Sequence, residues 1–236
     1  TCMVERALAF ETQGDHESAD GLIAAGIALA IDATATTLTL PVARALAEAR
    51  SGAAELAAMR GDEPGRRKAL ATMVDDVVPL ARKLRAVDLF EQAADADATL
   101  AGLLQDDDVD GALVRAEAAA GLLSEGDDAR ADKEEPGFRE WRARLLAAIG
   151  YTRRDAGGDV DTFVDDFRKS LAVARELGEK VTIDGRLTRA EAAMALVAAG
   201  ALDADDPAFR ADYTALVAKA AELDVTEAER LAVIAD

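Results

Sequence analysis

Apolar residues recur at three- and four-residue intervals along nearly the whole chain, the spacing of a helix that buries one face. No stretch alternating at every second position lasts beyond a few residues, so strands are not predicted. The pattern predicts helices at about 2–13, 16–31, 40–59, 64–85, 87–104, 108–123, 137–154, 159–177, 188–200, 206–222 and 226–235. Pro41, Pro64, Pro136 and Pro207 fall at or near helix starts, where a missing N–H costs nothing. Asp206-Pro207 reads as N-cap and first helical residue. Thr188-Arg189-Ala190-Glu191 and Thr226-Glu227-Ala228-Glu229 read as capping boxes. Pro79 stands inside the predicted helix 64–85 and is expected to kink or break it.

Short acidic or glycine-containing turns join the helices in pairs: Gln13-Gly14-Asp15, Arg60-Gly61-Asp62, Asp106-Asp107-Asp108, Gly157-Gly158-Asp159 and Leu202-Asp203-Ala204-Asp205. Measured on Asp15, Asp62, Asp107, Asp159 and Asp205, the steps are 47, 45, 52 and 46 residues. A regular interval of this size marks a helical repeat array. Five hairpins at about 2–31, 40–85, 87–123, 137–177 and 188–222, with a capping helix at 226–235, occupy residues 1–236 as one all-α domain. The long step falls at Ser124–Pro136, "SEGDDARADKEEP", which reads as a loop.

The first hairpin resembles a tetratricopeptide repeat (TPR). Ala7, Phe10, Gly14-Asp15, Ala19, Ile23 and Gly26 stand where that family places small, aromatic, turn, small, bulky and small residues. The fourth resembles it through Gly150, Tyr151, Gly158-Asp159, Phe167, Ser170 and Leu171, with Phe163 where a small residue is expected. The third fits at Ala112, Ala116 and Ala119; the second and fifth match in rhythm only. The steps here are longer than the family's 34 residues. The resemblance implies a right-handed, TPR-like solenoid of antiparallel hairpins. It also implies a non-enzymatic scaffold for protein–protein interaction, which takes a peptide or partner helix on a concave face.

Composition agrees with close helix packing: 50% of the 236 residues are hydrophobic but only 4% aromatic, so the core is built of Ala, Leu, Val and Ile. The net charge of −19 repels nucleic acid and anionic lipid. One cysteine, Cys2, and one histidine, His16, exclude an internal disulfide, a zinc site and a diiron pair of E-x-x-H motifs. The longest apolar run, Gly21–Ile31, is too short to span a bilayer. No secretory signal is visible, and a cytoplasmic location is the default expectation. Phosphate-binding glycine loops and the G-x-S-x-G nucleophile elbow are missing.

Two stretches carry candidate chemistry. Asp106, Asp108, Asp110, Gly111 and Glu117 fit the calcium-loop template, with the Ala112 carbonyl as a fifth ligand. The same aspartates fit the cap of helix 108–123, where they complement its N-terminal dipole. A cap needs no partner loop, whereas calcium loops work in pairs, and Lys180 spoils the best second copy. The cap is therefore the first reading and a calcium-binding, EF-hand-type protein the alternative. The second stretch is Arg139, Trp141, Arg142, Arg153 and Arg154, a set that could grip an acidic peptide or phosphate, or pair with carboxylates of adjacent helices. A helical small-molecule binder, or an enzyme with no recognisable motif, is the further alternative.

Overall fold

The structure, a computed structural model, describes residues 2–130, 137–178 and 182–220. These form ten helices: α1 (Cys2–Thr12), α2 (His16–Thr36), α3 (Leu40–Met59), α4 (Glu63–Leu84), α5 (Val87–Leu104), α6 (Val109–Ala129), α7 (Gly137–Asp155), α8 (Val160–Glu176), α9 (Ile183–Ala198) and α10 (Pro207–Ala220). No strand occurs among the described residues. The chain divides into two compact units, Thr1–Ala131 and Asp132–Asp236.

In unit 1, α1/α2, α3/α4 and α5/α6 are hairpins, α2 packs on α3, α4 on α5, and α3 touches both α1 and α5. Unit 2 repeats the scheme: α7/α8 is a hairpin, α9 packs on both its helices, and α10 packs on α9. Within each unit, successive helices thus cover apolar surface that their predecessors leave open, the logic of a helical repeat.

The turns show why the chain reverses where it does. Gly14 has φ +80°; its N–H reaches the Glu11 carbonyl at 2.9 Å, and Asp15 N–H reaches the Phe10 carbonyl at 2.9 Å. Gly61, at φ +67°, repeats this pair of bonds to Ala58 and Ala57. This is the Schellman ending, in which a left-handed residue lets two backbone amides close on the last turn. The next residue starts the second helix: Asp15 accepts from Ser18 N–H at 3.1 Å and Asp62 from Gly65 N–H at 3.0 Å. Gly-Asp is therefore a complete stop-and-start signal. Pro41 and Pro64 lie in the first turns of α3 and α4. Asp206 caps α10 through Phe209 N–H at 2.8 Å, with Pro207 as its first residue.

The apolar period fills the core. Ala7, Ala19, Ile23 and Leu56 form one buried cluster of unit 1, with Phe10 partly buried against it. A Cβ on Gly26 would lie 3.6 Å from Met3 Sδ and 3.8 Å from Ala49 Cβ, ordinary contact distances, so Gly26 faces α1 and α3 without being required by their packing. In unit 2, Val164, Phe167 and Leu171 of α8 pack on Ala192, Ala193 and Leu196 of α9. Phe163 joins them from the periphery.

Five local expectations are corrected. α4 runs unbroken through Pro79, with Val77 and Ala81 fully buried on its core face; that packing outweighs a cost of ~3 kcal/mol. The expected loop 124–136 is helical to Ala129, because Leu122, Leu123 and Gly126 are buried and Arg82 clamps Glu125 with two bonds of 2.8 Å. α2 continues past 31 to Thr36, its hydroxyls Thr34 and Thr36 satisfied by the Ile31 and Asp32 carbonyls. It is thereby long and apolar enough to cross a membrane by length and composition, although Ala19, Ile23 and Ala30 are buried against protein. The Thr188 capping box does not exist: α9 starts at Ile183, and Thr188 is a buried mid-helix residue bonded to the Asp184 carbonyl. Thr182 is the cap instead, donating its hydroxyl to Glu140 at 2.7 Å while accepting from Gly185 N–H at 3.2 Å. Pro136, the capping helix 226–235 and the Thr226 box lie outside the described residues.

Candidate functional site

The first helices of the three hairpins of unit 1 share one face. On α3, Arg44, Glu48, Ser51 and Glu55 follow helical spacing and form one polar stripe, opposite the buried Leu46, Ala49 and Leu56. On α5, Gln92 and Asp95 form a second stripe, with Asp88 one turn earlier. Between the stripes lies a groove of about 550 Å³ whose apolar lining is Val4, Gly52 and Met73. Gly52 lets α3 lie close against α1 and α2, since a Cβ there would stand 2.8 Å from Val4 Cγ1 and 2.9 Å from Ile23 Cδ1. Arg44 supplies the positive charge; its Nε donates to Asp88 at 2.5 Å, which holds the guanidinium more firmly protonated than usual. Glu48, Glu55 and Asp95 make the rest of the lining acidic.

The first hairpin is tied to the second beside this face. Glu11, 7% exposed, accepts two bonds from Arg60, at 3.0 and 2.5 Å. His16 Nδ1 lies 2.8 Å from the same carboxylate, and Arg60 also reaches Asp20 at 2.8 Å. The Arg60 bonds, helped by His16, hold the Glu11 carboxyl down at about 2, against its ordinary 4.5. Its contribution to stability is complete above about 4.5 and disappears as the pH falls towards 2. The melting temperature of the wild-type chain should therefore drop more steeply across that window than that of Glu11→Gln. Parallel melting curves would show that Glu11 is not the coupled group.

The structure does not gather the arginine–tryptophan set into one site. Arg139, Trp141 and Arg142 lie at the start of α7 and Arg153 and Arg154 at its end, about 17 Å apart at the helical rise. Arg153 ion-pairs with Asp166 of α8. Arg154 donates to Asp155 at 2.8 and 3.0 Å and lies over the Tyr151 ring, 4.9 Å from its centroid. Trp141 is half-buried, and Arg142 Nε is buried without a hydrogen-bond partner among the described residues.

The acidic stretch is split between turn and helix. Asp108 is the N-cap of α6, accepting from Gly111 N–H at 2.9 Å. Asp107 binds Arg67 at 2.7 Å. Ala112 is buried one turn into α6, Asp110 lies in its first turn, and Asp106 precedes it in the connecting turn. Glu117 lies two turns along the same helix. No cluster of three or more carboxylate, histidine or cysteine side chains able to hold a metal ion occurs among the described residues.

Sequence reasoning missed the groove. The α3 stripe was visible as polar residues at i, i+4, i+7 and i+11, but nothing local shows that Val4 and Gln92 flank it.

Within each unit every helix packs on its neighbours in sequence, which makes this an all-α helical-hairpin repeat protein. No family model matches the chain, and no curated protein matches it. Among solved structures it is similar to a Podosopora anserina kinesin light chain protein of nearly identical TPR-like repeats. The two share 16% identity over 84% of this chain and 86% of that one, with a TM-score of 0.44. A single-substitution variant of that protein gives the same identity and TM-score over 84% and 85% of the two chains.

Proposed function

We propose that the chain is a non-enzymatic scaffold whose unit 1 binds an extended or helical peptide along the groove over α1, α3 and α5. The observation that carries this reading is the groove itself, with apolar footing at Val4, Gly52 and Met73 and carboxylates on both banks. Stacked hairpins keep such a face rigid, so little ordering cost falls on the receptor. The charge selects a basic peptide with a modest apolar anchor: Lys or Arg side chains meet Glu48, Glu55 and Asp95 while the anchor rests at Gly52. Calcium plays no part in this reading, and a cytoplasmic setting suits it.

Peptides selected from a random display library on the wild-type protein test it. They should be basic, and Glu55→Lys with Asp95→Lys should weaken them by ~10-fold or more through lost charge complementarity. Both residues are exposed, so the fold should tolerate the change. Selected peptides that are acidic, or whose binding the double reversal leaves intact, would sink the proposal.

A further inference from the structure

A second cleft, of about 470 Å³, opens on the other side of unit 1 between α4, α5 and α6. That volume is in the range of small-molecule sites. Val74, Val78, Pro79, Ala118, Gly121 and Leu122 form its apolar walls. Its charged groups are Asp75, Arg82, Asp97, Arg115 and Glu125.

Two helix-disfavouring residues line this cleft. Pro79 stands inside the unbroken α4, where it removes a backbone N–H at a cost of ~3 kcal/mol. Gly121 sits in mid-α6, where glycine costs roughly 0.5–1 kcal/mol relative to alanine. Packing does not require Gly121, since a Cβ there would meet nothing within 4 Å. Both violations line the same cleft, and local violations of this kind concentrate at functional sites.

The polar groups define the ligand. Arg82 is paired with Glu125 through two bonds of 2.8 Å, and Arg115 Nη1 is held by Asp97 Oδ1 at 3.1 Å. Asp75 is exposed, and its carboxylate has no cation bound among the described residues. Its carbonyl has lost its α-helical donor, because Pro79, four residues on, has no N–H. Asp97 is 1% exposed and has Arg115 as its one donor among the described residues. Three carboxylates against two guanidiniums leave the lining short of one positive charge.

We propose that the cleft between α4, α5 and α6 binds a small organic cation with an apolar body, its ammonium between the carboxylates of Asp75 and Asp97 and its body against Val78, Pro79 and Leu122. This site is independent of the peptide groove, with which it shares no lining residue.

Benzylammonium is a suitable probe, with benzyl alcohol as its neutral isostere, each titrated into the full chain and followed by two-dimensional NMR. Benzylammonium should give saturable shifts at Val78, Ala118 and Leu122, with an affinity at least ~10-fold above that of benzyl alcohol. Asp75→Asn, an exposed change, should remove that preference. Gly121→Leu should fill the cleft and abolish binding, while Gly102→Leu, at an exposed helical glycine off the cleft, should leave it unchanged. Equal affinity for the two probes, no saturable shift at millimolar concentrations, or binding that survives Gly121→Leu would each overturn the proposal.

Discussion

Phe167→Ala should lower the stability of unit 2 by ~4 kcal/mol, the size expected when a large aromatic leaves a packed core. Phe167 is 0% exposed. Its ring meets Tyr151 edge-on at 4.9 Å and Phe163 at 6.4 Å, and it packs with Ala192, Ala193 and Leu196 of α9. One side of the ring is bounded by main chain: a Cβ on Gly150 would stand 3.0 Å from two ring carbons. At Gly150, α7 has no side chain to move into the space. The cavity therefore persists, and the cost falls at the high end. Trp141, the one tryptophan of the chain, lies on α7, so its fluorescence during urea unfolding reports unit 2 directly. A loss below ~1.5 kcal/mol would show that α7 and α8 collapse onto the gap.

Arg115→Met should cost unit 1 about 3 kcal/mol near neutral pH, the scale for a buried charge stripped of its partner. Asp97 is the charge left behind, 1% exposed on α5. Burial pushes its carboxyl above the ordinary 3.8, aided by the nearby Asp75, while Arg115 opposes the shift. A raised pKa means that the folded state holds the proton more tightly. Acidification through the folded value towards 3.8 therefore adds to stability, opposite in sign to the Glu11 effect. Removing Arg115 raises the Asp97 carboxyl further. The deficit of the variant should thus be greatest near neutrality and shrink on mild acidification. Urea midpoints of the variant and wild type at two pH values check this; a deficit independent of pH would place the loss in packing rather than charge. Arg115→Met combined with Asp97→Leu should recover much of the stability, since the uncompensated charge is then gone.

Where the structural reason is local, the sequence could be read. Each helix stop and start at Gly14-Asp15 and Gly61-Asp62 is made by residues within five positions of one another. The same holds for Asp206-Pro207. The TPR resemblance placed Ala19, Ile23, Ala119 and Phe167 at packing positions, and all four are buried. Where the decisive partner is distant, it could not be read. Thr188 with Glu191 made a capping box on paper, but α9 is capped at Thr182, which has Glu140, 42 residues away, to bond its amide and hydroxyl. The acidic run Ser124–Asp128 looked like loop for the same reason: its anchor, Arg82, is 43 residues distant.

By itself, then, the sequence determined that this is an all-helical array of hairpins, where most of them turn, and which residues face inward. Those properties follow from hydrogen bonds within a turn and from a 3.6-residue period, both complete within a few residues. The tertiary structure alone decided that α4 survives Pro79, that α1, α3 and α5 share a groove, and that Asp97 is buried against Arg115. Each of these depends on which helix lies against which, and that is settled by shape and desolvation across tens of residues of separation.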